Sequence, residues 1–184
     1  MKLTPAQPGH VVGASFGLVF ILVNSAKLGS PGRAIVSAVA VAAALLVLVS
    51  FVQVLRAGGP RKPAKQSARG YFVIVAVEVV LLFGGLAVLN QIEQTAAVAW
   101  IALVVGLHFV AFAYWWIRGN REMLAIGVLM TVLGVAGLVI AFGQQDRPLV
   151  GLVAGVGSGV VLLGNAALAT LGVFGSERPV EALQ

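Results

Sequence analysis

One glutamate lies in the middle of a long apolar stretch of this sequence. Within residues 71–90, Glu78 has seven nonpolar or aromatic residues before it and eleven apolar residues or glycines after it. A carboxylate at the centre of a membrane-spanning helix costs roughly 2.5–3.5 kcal/mol on insertion scales, so such a residue usually faces protein or water and serves a function. We therefore expect Glu78 either to bind a proton or cation or to fix two helices through a buried hydrogen bond.

Three polar side chains of other apolar stretches fall at a similar depth. Counting about 1.5 Å per residue from the predicted cytoplasmic helix ends places Glu78 about 10 Å deep and the other three about 12–13 Å deep: His108, Thr131 and Asn165. Glu78 and His108 are the natural pair, because a carboxylate and an imidazole in contact can bind and release a proton. Thr131 and Asn165 would add hydrogen bonds to a ligand, or simply join helices.

The composition of the chain indicates that these residues lie on transmembrane helices. Hydrophobic residues make up 60% of the chain and charged residues only 10%, which excludes an ordinary soluble domain. A helix needs about 20 apolar residues to cross a bilayer. The sequence predicts an all-α bundle of six transmembrane helices in a single domain spanning 1–184, with helices near 10–26, 34–55, 71–90, 97–117, 123–143 and 149–174.

The distribution of basic residues predicts that both termini are cytoplasmic. With that orientation three of the twelve Lys and Arg side chains lie outside, Lys27, Arg33 and Arg147, and the other nine lie inside, as the positive-inside rule favours. The inner nine are Lys2, Arg56, Arg61, Lys62, Lys65, Arg69, Arg118, Arg121 and Arg178. The basic cytoplasmic loop 56–70 is expected to meet anionic lipid headgroups rather than nucleic acid, through Arg56, Arg61, Lys62, Lys65 and Arg69.

Small residues recur on two of the predicted helices and indicate close helix packing. They are Gly151, Gly155 and Gly159 on the sixth helix and Gly127 and Gly134 on the fifth. These faces could equally form the seam of a homo-oligomer. Weak echoes between helices one and four and between helices three and six also suggest a 3+3 inverted repeat, an arrangement common in secondary transporters.

Other chemistry has little support in the sequence. There is no cysteine, and no motif specifies hydrolysis or a metal site. A haem held by both histidines would require His10, near the end of the first helix, to reach the plane of His108. We therefore predict no cofactor and no metal, and an enzyme acting on lipid or quinone is only a third interpretation, based on the acid and the histidine.

Two other functions are favoured over an enzyme. The leading prediction is a proton-linked carrier of a small solute that uses Glu78 and His108, in the inner membrane of a bacterium, since small Ala- and Val-rich proteins of this composition are found there. The alternative is a structural or accessory membrane protein that transports nothing and oligomerises through its glycine-rich faces.

Overall fold

The structure of this protein is a computed structural model that describes residues 7–58, 68–117, 119–144 and 146–173. Every regular element in these ranges is helical. Within them, five helical segments are long and apolar enough to cross a membrane: Pro8–Arg56, Arg69–Ile92, Gln94–Trp116, Arg121–Gln144 and Arg147–Thr170. The expected all-α integral membrane class is thereby confirmed, and helices suit lipid because they satisfy their own backbone hydrogen bonds.

The first of these segments contains two helices that pack against each other. Helix α1 (Pro8–Asn24) leads through the short 3₁₀ turn Ser25–Leu28 into α2 (Gly29–Arg56). Gly29 has a φ of +69°, a conformation that glycine adopts without steric cost. The chain reverses there, so that residues of both helices share one buried cluster, among them Ala14, Ile21, Ala40 and Val47.

The remaining helices contain two wider turns that the sequence did not predict. The remaining helices are α3 (Ala68–Ile92), α4 (Ala97–Ala111), α5 (Arg121–Gln144), α6 (Arg147–Val150) and α7 (Gly157–Thr170). Helix α4 passes into the π-helical turn Phe112–Trp116, and the π-helical turn Gly151–Val156 separates α6 from α7. The stretches 97–117 and 149–174 were expected to be uninterrupted α-helices.

An ion pair joins two connections that are far apart in sequence. Asp146 caps α6 by accepting a hydrogen bond from the Leu149 backbone N–H at 3.0 Å, and its Oδ2 lies 2.6 Å from Lys27 Nζ. The hydrogen bond from Lys27, together with that from Leu149, lowers the pKa of Asp146 below its ordinary value. The turn between α1 and α2 and the start of α6 therefore lie at the same end of the molecule.

Two helix crossings bring backbones into contact at glycines. A Cβ added to Gly17 of α1 would lie 2.7 Å from the Gly159 carbonyl oxygen of α7, and one added to Gly106 of α4 would lie 2.5 Å from the Thr131 backbone nitrogen of α5. Each glycine in the predicted packing set has a close neighbour on another helix: Gly151 and Gly155 meet Asn24, Gly159 meets Gly17, Gly127 meets Val110, and Gly134 meets Leu103.

Helix α3 lies at the edge of this arrangement. In the part of the chain that the structure describes, its main contacts are with α4 and the flanking turns, whereas α1 and α2 pack with α7. Its other sides carry exposed apolar side chains, among them Phe72, Val80 and Phe83, which are 66%, 70% and 70% exposed. Helix α3 therefore stands apart from α1 and α2, the helices with which a 3+3 arrangement would group it.

Candidate functional site

The face of α3 that meets protein carries three residues spaced seven apart. Tyr71, Glu78 and Gly85 lie on one side of the helix, because seven residues are nearly two full turns. Going along α3 from Tyr71 to Gly85, their neighbours run backwards along the α4 region, from the π-helical turn to its N-terminal half. The two helices are thus antiparallel, and the acid sits midway along their contact.

Glu78 contacts His108 directly. Glu78 Oε2 lies 2.9 Å from His108 Nδ1, and their side chains are 18% and 11% exposed. The Nδ1 atom is buried and makes no well-aligned hydrogen bond among the described residues, so the contact is close in distance but not ideal in direction. A proton on the imidazole makes this contact an ion pair.

Aromatic rings cover the pair on the side of the π-helical turn. The Phe112 ring lies 4.1 Å from the His108 ring in an edge-to-face arrangement, and it stacks on Tyr71 at 5.7 Å. Trp116 lies 5.2 Å from Tyr71 and 4.9 Å from Phe112. This cluster was not predicted from the sequence. The spacing of four residues from His108 to Phe112 and from Phe112 to Trp116 is the pattern that indicates it.

A tryptophan fixes the other end of the α3–α4 contact. The Trp100 indole lies over Gly85, where any Cβ would collide with the ring, and its Nε1–H donates to the Leu81 carbonyl oxygen at 3.0 Å. This bond holds the register between the two helices. Since Leu81 lies one turn from Glu78, the same register brings Glu78 opposite His108.

Thr131 lies in the contact between α4 and α5 rather than in the contact between α3 and α4 that holds the pair. Its Oγ1 donates to the Gly127 carbonyl oxygen of its own helix at 2.7 Å, and it packs against Gly106, two residues before His108. A hydroxyl that donates within its helix still has lone pairs that can accept a hydrogen bond. Thr131 therefore lies behind α4, across that helix from α3.

Asn165 belongs to another part of the molecule. It lies on α7, which packs mainly on α1, α2 and α5, and among the described residues no hydrogen bond joins Asn165 to Glu78 or His108. Of the four residues that depth counting grouped, the structure thus brings two into direct contact.

The pair does not extend into a larger cluster of metal-binding side chains. Within the described ranges, no three or more His, Cys, Asp or Glu side chains lie together. His10 serves the start of α1, where its Nδ1 accepts a hydrogen bond from the Gln7 backbone N–H at 3.2 Å. What the site offers is one carboxylate and one imidazole beside aromatic rings.

Comparison of the chain with models of protein families, with curated proteins and with solved structures finds no match.

Proposed function

We propose that this protein is a proton-linked membrane carrier of a small solute, with Glu78 and His108 as its proton site. The observation that carries this proposal is the 2.9 Å contact between an acid and an imidazole inside apolar helices. Intramembrane acids with a titratable partner are the usual components of proton relays in pumps and transporters.

The charge of the pair gives the mechanism its direction. With one proton shared between them, Glu78 and His108 have no net charge, which is the state that a low-dielectric environment favours. A second proton makes the pair a cation, and loss of the shared proton makes it an anion. A change in proton number therefore raises the free energy of a pair that is shielded from water. A movement of the helices that admits water or solute to the pair lowers this free energy again.

We further infer that the chain crosses the membrane six times with both termini in the cytoplasm. The packing of α1 on α2 supports two crossings within Pro8–Arg56, because a straight helix of that length would be about 73 Å long, more than twice the thickness of the hydrocarbon core. The ion pair between Lys27 and Asp146 fits this proposal, since both would lie outside. The 3+3 repeat stays a prediction.

The proposed membrane and the proposed lipid contacts follow from the same orientation. We propose a bacterial inner membrane, with anionic headgroups near Arg56 and Arg69; the predicted headgroup contacts Arg61, Lys62 and Lys65 lie outside the described residues. Thr131, which packs against Gly106 on the side of α4 opposite α3, would accept a hydrogen bond from the solute only if the solute path reaches that side of α4. Asn165 would take part only if α7 lines the same path.

The decisive experiment measures solute-dependent proton movement in proteoliposomes that contain a pH-sensitive dye. A panel of amino acids, sugars and organic cations is added outside, and internal pH is followed for wild type, Glu78→Gln and Glu122→Gln. Glu78→Gln removes the titratable group at the site, so we expect its pH response to disappear. Glu122→Gln makes the same change in the first turn of α5 and should keep the response. An unchanged response in Glu78→Gln would refute the mechanism.

The bare surface of α3 favours a second candidate, a structural or accessory protein that transports nothing. Large apolar side chains such as Phe72, Val80 and Phe83 point away from the rest of the chain, where lipid or another subunit would cover them. In that case gentle detergent extraction yields a stable homo- or hetero-oligomer, no solute in the panel moves protons, and Glu78→Gln lowers stability.

A further inference from the structure

A groove opens at the N-terminal end of α3, beside the π-helical turn. It has a volume of about 350 Å³ and is lined by Arg69, Gly70, Val73, Ile74 and Trp115. Val73 and Ile74 are the apolar side chains of its lining, and Arg69 is the charged one among the described lining residues. The groove lies at the end of the molecule where the predicted basic loop 56–70 ends.

Local backbone geometry produces this groove. A π-helical turn contains more residues per turn than an α-helix, so side chains shift around the axis. In the turn Phe112–Trp116, Phe112 faces the protein at 6% exposure while Trp115 faces outward at 72%. Gly70 lies beside the same turn, since a Cβ added to it would be in ordinary van der Waals contact with Trp116, 3.7 Å from its Cδ1.

The chemistry of the lining matches one class of ligand. A guanidinium forms paired hydrogen bonds with a phosphate, an exposed indole prefers the headgroup region of a membrane, and branched aliphatic side chains contact hydrocarbon. We propose that this groove binds one anionic phospholipid, with its phosphate on Arg69, its glycerol region beside Trp115 and an acyl chain along Val73 and Ile74. The site does not depend on proton transfer by Glu78.

Quenching of tryptophan fluorescence by lipids with brominated acyl chains tests the proposal at Trp115 itself. The protein is reconstituted in mixed vesicles of brominated phosphatidylglycerol and phosphatidylcholine, and the signal of a Trp115→Phe variant is subtracted to isolate Trp115. One basic side chain near a membrane surface contributes about 1 kcal/mol of attraction to anionic lipid, so we expect about fivefold preference for phosphatidylglycerol.

Two matched variants show whether the lipid preference comes from a specific site in the groove or from the general positive charge of the surface. Arg69→Gln should bring the preference close to one, whereas Arg121→Gln removes the same charge at the start of α5, outside the described lining of the groove, and should keep it. Arg69→Lys retains a charge and should retain part of the preference. Each variant is first checked for wild-type helicity by circular dichroism.

Several results would overturn the proposal. One is equal quenching by both lipids in wild type, which would mean that the groove selects no headgroup. Another is an equal loss in Arg69→Gln and Arg121→Gln, which would assign the preference to the surface potential. A third is displacement of phosphatidylglycerol by inorganic phosphate alone, which would indicate an anion site without an acyl chain component.

Discussion

Replacement of Gly85 by alanine should loosen the α3–α4 contact that holds Glu78 opposite His108. The new methyl group collides with the Trp100 indole, which cannot move without leaving the Leu81 carbonyl oxygen. Overpacking of this kind costs about 1–3 kcal/mol, and a lost hydrogen bond costs about 0.5–1.5 kcal/mol. Alanine recovers up to about 1 kcal/mol of helix propensity. With the full propensity gain these contributions sum to a destabilisation of about 0.5–3.5 kcal/mol for Gly85→Ala.

The neighbouring residue provides the control. Gly84 has open space around it, since an added Cβ would meet nothing within 4 Å, so Gly84→Ala should be neutral or stabilising. Reversible unfolding in mixed micelles, followed by circular dichroism, gives both stabilities, and Trp100 emission should shift only in Gly85→Ala. Equal stability of the two variants would refute the argument that Trp100 fixes the helix register.

Two further predictions concern the rest of the bundle. Gly17→Ala should destabilise by about 1–3 kcal/mol in the same unfolding assay, because backbone atoms of α7 block the new methyl group; Gly13→Ala, one turn earlier with its nearest neighbour 3.9 Å away, should not. The lowered pKa of Asp146 means that its pair with Lys27 stabilises the protein above the ordinary aspartate pKa of about 3.9 and loses this effect as the pH falls further. In unfolding measured against pH, Asp146→Asn should therefore lower stability at neutral pH through loss of the ion pair and flatten the acid limb, while it keeps the cap. Asp146→Ala should lower stability at neutral pH further, because it also removes the cap.

The sequence was sufficient to predict the helical membrane class, because this depends on the average polarity of long stretches. A backbone in lipid must satisfy its own hydrogen bonds, so apolar runs of sufficient length become helices whatever their neighbours are. The cap at Asp146 was predictable for a similar reason, since it depends on residues close in sequence. Depth counting also named Glu78 and His108, which the structure brings into contact.

The packing arrangement of the helices could not be predicted from the sequence. In a soluble protein an apolar stripe identifies the buried face, but a helix in lipid is apolar on every side, so hydropathy does not say which face meets protein. Depth alone therefore grouped Asn165 with Glu78, although α7 packs mainly on α1, α2 and α5. The π-helical turns were missed because Phe112–Trp116 and Gly151–Val156 contain no proline or other local signal.

The peripheral position of α3 has a consequence for how the proton pair could work. The crossings at Gly17 and Gly106 join backbones closely, and any movement of those helices must break many contacts at once. Helix α3, by contrast, is held mainly by α4 through the aromatic cluster, the Glu78 contact with His108 and the bond from Trp100. In the proposed carrier, a change in protonation therefore acts on one of the few contacts that retain α3. We therefore expect α3 to move against a fixed bundle, which would open the pair from the side of α3 without separating α1 from α7.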